Sequence, residues 1–315
     1  MEDSEGRSIR YLRLSITDRC NCRCQYCMPE AGVPMLTHSE ICRYEEYAEM
    51  VRVLARMGVT KVRITGGEPL VRRGVVDLIR MLKAIPGINE VDLTTNACLL
   101  APLAAPLREA GLDRLNISLD TLKPEVYRQI TRSGELADAL SGIGAAKEAG
   151  FSQLKLNCVL LGGVNDEEIP DLAHLAEDEE IVVRFIELMP IGPCVQWPHS
   201  RFISAETVLE RVPELVPCGS DGVAGLYTAP GWKGKIGLIR PMSRRFCSGC
   251  TRIRITSDGK LKPCLHSSDE IALRGLSGAA LEDAIRRGIA LKPAHHEMGE
   301  GHASSSRRAM NEIGG

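Results

Sequence analysis

The chain has 315 residues, 44% of them hydrophobic, and a formal charge of −2. No apolar run approaches the roughly 20 residues of a membrane span, residues 1–20 lack a signal-peptide core, and the near-neutral charge argues against broad nucleic-acid or membrane-surface binding. Any anion site must therefore be a local concentration of Arg and Lys. The length suits one large domain, or one large and one small. Of twelve cysteines, four fall within residues 20–27, three stand at 247, 250 and 264, and five are scattered singles. Thiols two to four residues apart cannot easily pair with each other, so the bunching implies a reduced cytoplasm and metal–thiolate chemistry rather than a disulfide scaffold.

In chain order, the polar start "MEDSEGRSIR" is expected to be a flexible N-terminus over residues 1–8. From residue 9 short β-rich runs alternate with amphipathic stretches. The runs are "IRYLRLSITD", "KVRITGGEP", "EVDLTTN", "RLNISLD", "SQLKLNCVL" and "IVVRFIELMP". Between them, "YEEYAEMVRVLARMG", "GVVDLIRMLKAIPG" and "ADALSGIGAAKEAG" carry apolar residues at helical spacing and end in Gly. Six strand–helix units predict an α/β fold with a parallel sheet. They fall short of the eight that close a full barrel, so the expectation is an incomplete (β/α)6-type TIM barrel over 9–192, with an open doubly wound sheet as the fallback.

Strands buried on both faces should read as continuous apolar runs, and these do not. Arg13 and Ser15 alternate with Leu12, Leu14 and Ile16; Lys61, Arg63 and Thr65 with Val62 and Ile64; Asn116 and Ser118 with Leu115 and Ile117; Lys155 and Asn157 with Leu154 and Leu156; Arg184 lies among Val182, Val183 and Phe185. Period two sends one face to the helices and the other into a polar lumen. Converging cations there imply an anionic ligand or carboxylate partners elsewhere in the chain. The alternative for each is a solvated edge strand.

After residue 192 the pattern changes. A Pro-rich connection and a short helix in "SAETVLERV" precede "WKGKIGLIRPMS" and the hairpin "TRIRITSDGKLKPCL", turned at Asp258-Gly259. A smaller α+β domain is expected over 193–303, covering the barrel's open side. The tail from 304 to 315, ending in Gly-Gly, reads on composition as a flexible end.

Cys20, Cys24 and Cys27 form C-x3-C-x2-C, one thiolate short of a closed iron–sulfur or zinc site. Cys22 alternates with its neighbours and is expected to point away. Cys247, Cys250 and Cys264 form a second set of three; His266 could complete it as a Cys3His zinc site, whereas Arg252 and Arg254 beside it suit a phosphate-bearing ligand. "TGGEP" (65–69) is a strand-end turn in which Gly66 and Gly67 allow close approach and Glu68 can accept from an amine.

The first cysteine motif, Tyr26 before its last cysteine, and "GGEP" after the second strand resemble the radical S-adenosylmethionine (SAM) enzymes. With "LTTN", "LNISLD", "VRFIELMP", "FCSGCTRIRITSDGKLKPCL" and the closing "IGG", residues 9 to 315 resemble one branch, the GTP 3′,8-cyclases of molybdenum cofactor biosynthesis. That resemblance implies a lyase converting GTP to (8S)-3′,8-cyclo-7,8-dihydroguanosine 5′-triphosphate, through a 5′-deoxyadenosyl radical that abstracts the ribose 3′ hydrogen. It implies a [4Fe–4S] cluster on Cys20, Cys24 and Cys27 that binds SAM, and a second on Cys247, Cys250 and Cys264 that meets guanine. Tyr26, Gly67, Ser118 and Met189 match SAM contacts. Arg13, Lys61, Arg63, Thr94, Lys155, Arg184, Arg252, Ile253 and Arg254 match substrate positions, with Arg13, Arg252 and Arg254 also assigned to catalysis. The implied partners are an external electron donor and a downstream cyclic pyranopterin monophosphate synthase, with a homodimer left open and no nucleic acid or membrane. Ala97 stands where the family has Gly, and the Gly314-Gly315 tail matches one that reaches the active site. Two rival readings are a radical enzyme acting on peptides, which gives so many lumen cations no use, and a zinc- or iron-binding regulatory module, which predicts an apolar lumen.

Overall fold

The computed structural model describes residues 1–298 and 303–315; Gly299, Glu300, Gly301 and His302, on which part of the expected C-terminal domain falls, lie outside the described residues. Six strand–helix units build the first part of the chain. β1 (Tyr11–Ser15) leads through the cysteine loop to α1 (Tyr44–Arg56), and β2 (Lys61–Thr65) to α2 (Val75–Lys83). β3 (Glu90–Thr95) precedes α3 (Ala104–Glu109), and β4 (Arg114–Ser118) precedes α4 (Pro124–Thr131) and α5 (Leu136–Glu148). β5 (Lys155–Leu160) leads to α6 (Ile169–His174), and β6 (Val182–Glu187) ends the series. All six strands run parallel in sequence order.

Local chemistry explains these elements. In α1, Tyr47, Met50, Val51 and Leu54 recur at three- and four-residue spacing and are buried. The Glu46 carboxylate accepts from the Arg43 backbone N–H at 2.6 Å to cap the start. Gly58, at φ +101°, takes the left-handed conformation that stops the helix. Leu12, Leu14, Val62, Ile64, Val91, Leu93, Leu115, Ile117, Val183 and Phe185 form the helix-facing layer and are essentially inaccessible. At about 1.5–3 kcal/mol for each fully buried side chain, this layer fixes the register, because a one-residue slip would turn the lumen cations into it.

The rest of the chain joins the same sheet. After α7 (Thr207–Arg211) come β7 (Val216–Asp221), β8 (Ala224–Thr228), β9 (Lys235–Ile239), β10 (Arg252–Ile255), β11 (Lys260–Lys262) and β12 (Ile271–Ala272). α8 (Gly278–Ala290) and α9 (Met310–Ile313) follow. β9 pairs parallel with β6 at one edge, and β10 pairs parallel with β1 at the other. The order is β12-β11-β10-β1-β2-β3-β4-β5-β6-β9-β8-β7, an open twelve-stranded sheet among the described residues, so the barrel is partial. The C-terminal strands thus extend both rims of the barrel instead of forming a separate sheet. No described helix is long and apolar enough to cross a membrane.

Two expectations are corrected. Residues 1–8 are folded, not flexible: Glu2 and Ser8 form a β-bridge, Ile9 N–H donates to the Met1 carbonyl, and buried Asp3 and Arg7 pair at 2.7 Å. The described part of the tail is also fixed. Arg308 bonds Glu270 at 2.6 and 2.8 Å and Asp258 at 2.8 Å, and beyond it Asn311 and Ile313 are buried. Composition misleads here because the ordering comes from partners about forty residues away. Of the scattered thiols expected in the core, Cys42, Cys158 and Cys194 are there, but Cys98 is half-buried and Cys218 is exposed on β7.

Ala97 adopts φ +63°, a conformation suited to glycine. Left-handed backbone costs a residue with a Cβ about 1–2 kcal/mol. Burial of the methyl, worth about 0.8 kcal/mol, and the lower unfolded-state entropy of Ala offset most of that. The turn therefore keeps its shape without Gly.

Because Arg308 is the charged tie of the tail, Arg308→Ala should raise amide exchange at 310–314 by about tenfold or more, equivalent to losing about 1.4 kcal/mol, with the barrel's protection unchanged. Hydrogen-exchange mass spectrometry checks this.

Candidate functional site

Parallel strands place their variable chemistry at their C-terminal ends, where loops converge. Beyond β1 lies the cysteine loop, beyond β2 the Gly66-Gly67-Glu68 turn, and beyond β6 Met189. Gly67 N–H donates to the Thr17 carbonyl at 2.8 Å and Glu68 N–H to the Arg19 carbonyl at 2.8 Å. A side chain on Gly66 or Gly67 would collide with the backbone of Thr17 or Arg19, so glycine is what lets the turn close on the cysteine loop. Glu68 is not free for an amine: its carboxylate accepts from Leu70 N, Thr95 Oγ1 and Asn96 N at 2.8–2.9 Å and is buried.

On this loop Cys20, Cys24 and Cys27 are each half-buried. Cys27 N–H donates to the Cys24 carbonyl at 2.9 Å, and Asn96 Nδ2 lies 3.9 Å from Cys20 Sγ. Cys22 is buried against Asn96 Nδ2 at 3.4 Å, and its bond with Cys20, with burial, pushes its thiol far up. Tyr26 O–H donates to Asp120 at 2.7 Å, whose carboxyl burial raises to about 6. Ser118 ends β4 in register with Asn157. Asn311 Nδ2 donates to the Asp18 carbonyl at 3.0 Å, so the tail helix α9 covers this loop.

The second set is built differently. Cys247 and Cys250 close a tight turn, with Cys250 N–H donating to the Cys247 carbonyl at 3.1 Å, while Cys264 follows β11. Burial pushes the Cys250 thiol up, but Arg252 and Lys292 outweigh it and bring it to about 7. His266 turns elsewhere: it contacts Ser304 at 3.4 Å and packs edge-on to His296. Among the described residues no three Cys, His, Asp or Glu groups converge on one point, so a metal group's fit rests on donor chemistry. Each set offers three sulfur donors, with N–H groups close to Cys20 and Cys250 that suit anionic sulfur.

Between the two sets the register stacks the lumen cations. Arg252, Tyr11 and Lys61 form one row; Arg254, Arg13, Arg63 and Asp92 form the next. Thr94, Asn116 and Lys155 follow in register, as do Asn157 and Arg184. Carboxylates answer part of this charge. Lys61 meets Glu90 and Asp92, both at 2.8 Å, and Arg63 meets Asp92 at 2.7 Å. With its amide oriented to satisfy both ends, Asn116 also accepts from Arg63 at 2.9 Å. Across the lumen, Asp221 pairs with Lys155 at 2.6 Å and with Arg184. Burial would raise the Asp221 carboxyl, but these two cations carry it down to about 2.

Arg13, Arg252 and Arg254 have no carboxylate partner among the described residues. Arg13 Nε is buried without a hydrogen bond, and Arg254 donates to the Gly314 carbonyl. Burial and mutual repulsion hold Arg13 below, and Arg254 well below, the usual guanidinium range. Tyr11 Oη, Thr94 Oγ1 and Asn157 Oδ1 are likewise buried and unbonded on lumen-facing positions. Gly314, at φ +84°, packs on Thr65 and Ser15 where any side chain would collide. Ile253 lies in the core opposite Leu12, facing away from Arg252 and Arg254, which leaves only its backbone for a ligand. The sequence reading missed Tyr11, which shares the face of Arg13, and Asp92 and Asp221, whereas Asn116 was already placed on the lumen face. Period two gives the first two; Asp221 comes from a distant hairpin with no local signal.

A three-guanidinium cluster with no carboxylate counterion among the described residues should destabilise the protein. Arg13→Met is expected to raise the melting temperature of the ligand-free protein, by about 1–3 kcal/mol of stability, and to abolish stabilisation by inorganic triphosphate. Calorimetry with and without the anion measures both.

Residues 14–176 match the family model for the radical SAM superfamily, and residues 181–298 match that for molybdenum cofactor synthesis C. Curated proteins named GTP 3′,8-cyclase from Alkaliphilus metalliredigens and Moorella thermoacetica are 49% and 47% identical over the full length of both chains. Among solved structures, Streptococcus suis SuiB bound to S-adenosylmethionine is 16% identical with a TM-score of 0.62, covering 89% of this chain and 68% of its own. An anSMEcpe structure with bound AdoMet is 13% identical with a TM-score of 0.58, covering 92% and 79%. At such identity these two structures establish the fold alone.

Proposed function

This chain belongs to the GTP 3′,8-cyclase family of the radical SAM superfamily, and on that premise we propose how its residues divide the work between the two cysteine sets and the lumen. The protein converts GTP to (8S)-3′,8-cyclo-7,8-dihydroguanosine 5′-triphosphate, the first step of molybdenum cofactor biosynthesis. Cys20, Cys24 and Cys27 would hold a [4Fe–4S] cluster, which when bound would supply the one-electron reduction that splits SAM into methionine and a 5′-deoxyadenosyl radical. Tyr26, Gly67, Ser118 and Met189 hold SAM at the strand ends. The radical would take the ribose 3′ hydrogen of GTP to give 5′-deoxyadenosine, and the resulting C3′ radical would close on guanine C8. One further electron from an external reductant and one proton would quench the N7-centred radical to the 7,8-dihydro product.

The observation that carries the substrate assignment is the set of three unpaired guanidiniums, Arg13, Arg252 and Arg254, between the two cysteine sets. A triphosphate supplies the anions they lack, with Lys61, Arg63, Lys155 and Arg184 around it and Thr94 as a neutral contact. To reach Lys155 and Arg184 it displaces Asp221, whose hairpin is half-exposed. Cys247, Cys250 and Cys264 hold a second [4Fe–4S] cluster beside Arg252, where guanine would sit. The tail and barrel wall exclude water and stray C–H groups, which a primary carbon radical would otherwise attack. An external one-electron donor serves the first cluster, and cyclic pyranopterin monophosphate synthase takes the product. A peptide substrate leaves the guanidinium set without a partner.

Two measurements test this. Anaerobically reconstituted protein should hold about eight iron, falling to about four in Cys247→Ser/Cys250→Ser/Cys264→Ser, which still cleaves SAM. With GTP deuterated at ribose C3′, the label should appear in 5′-deoxyadenosine; unlabelled 5′-deoxyadenosine would overturn the assignment.

A further inference from the structure

Lys292 lies just past the C-terminal end of α8 and is 4% exposed. Its ammonium has three N–H donors and meets three acceptors: Cys250 Sγ at 3.5 Å, the Arg252 carbonyl at 2.8 Å and the Pro263 carbonyl at 3.0 Å. No described carboxylate lies within ion-pair distance of it. A buried ammonium without a counterion is expensive, and the one anionic group it touches is the Cys250 thiolate. Its two carbonyl partners flank the second cysteine set, since Arg252 follows Cys250 and Pro263 precedes Cys264. Behind it, Arg7 donates to the Lys292 and Pro293 carbonyls at 3.4 and 2.8 Å and to the Cys247 carbonyl at 3.0 Å, while paired with Asp3. One lysine thus joins the loops of Cys250 and Cys264, and one arginine joins the lysine's segment to Cys247.

We propose that Lys292 is a positioning residue for the second cluster, fixing its three ligands relative to one another and setting its reduction potential through the charged N–H···S contact to Cys250. This rests on the reading above that Cys247, Cys250 and Cys264 hold a [4Fe–4S] cluster. A cation donating to a ligand sulfur favours the more negative, reduced state. Arg7 touches only the carbonyl of Cys247, so it supports assembly without acting on the potential.

The test is an EPR-monitored redox titration of the anaerobically reconstituted enzyme, following the signal absent from the Cys247→Ser/Cys250→Ser/Cys264→Ser protein. In Lys292→Met and Lys292→Gln the reduced-to-oxidised ratio at a fixed potential should fall about tenfold, which is about 59 mV for one electron. Lys292→Arg should restore it, and Arg7→Met should lower iron content without moving the potential. Loss of the second cluster's iron in both Lys292→Met and Lys292→Gln, with the first cluster retained, is the same dependence in stronger form. Eight iron and an unchanged potential in either neutral variant would overturn the role of Lys292 alone. A wild type holding only four iron would overturn the two-cluster reading, and the proposal with it.

Discussion

Everything in this protein is arranged around an unpaid electrostatic debt: three guanidiniums, buried Arg254 and half-buried Arg13 and Arg252, held in adjacent rows of one sheet with no carboxylate among the described residues to answer them. Folding alone would not keep them there, because apolar side chains of similar size would pack the lumen at lower cost. Their neighbours set the contrast. Lys61 and Arg63 share Asp92, with Glu90 also on Lys61, and Lys155 and Arg184 share Asp221. The cations with no carboxylate contact at all are therefore local, on the strand that leads into the first cysteine set and the strand that follows the first two cysteines of the second.

The sheet makes this placement possible. Pairing β10 with β1 in parallel brings Arg254 opposite Arg13, two residues from far-apart parts of the chain. C-terminal strands not hydrogen-bonded into the barrel sheet would not deliver that register. The chain's two ends then reach the neighbourhoods of the two cysteine sets. The N-terminal segment carries Arg7 to the Cys247 loop, while the tail lays Asn311 on the Asp18 carbonyl and Gly314 against Arg254. Segments rich in polar and small residues are ordered here by hydrogen bonds to distant backbone: Arg7 donates to the Cys247 and Pro293 carbonyls, Asn311 to the Asp18 carbonyl, and Arg254 to the Gly314 carbonyl.

Much of this could be read from the sequence. Strand alternation gave the two-faced wall and the cationic lumen, since period two is local and strong. Cysteine spacing gave both three-thiol sets. What could not be read was the answering chemistry, because ion pairs such as Lys155–Asp221 and Arg308–Glu270 depend on chain reversals that no local pattern encodes. Composition also failed at the tail for the same reason, and at the N-terminus because polar residues such as Asp3 and Arg7 pair with each other and are buried there. The hydrogen-bond neighbourhood of Glu68 was misjudged because a glycine-rich turn looks open in sequence, whereas here it folds back and consumes its own carboxylate.

The most direct test of the central claim compares the binding of GTP and guanosine to the anaerobically reconstituted protein by calorimetry at low and high salt. If the unpaired guanidiniums are held for a triphosphate, GTP should bind at least about 100-fold more tightly than guanosine, about 2.8 kcal/mol, with the gap narrowing as salt rises. Equal affinities at both salt concentrations would contradict the account, since the cationic lumen would then contribute nothing to substrate recognition.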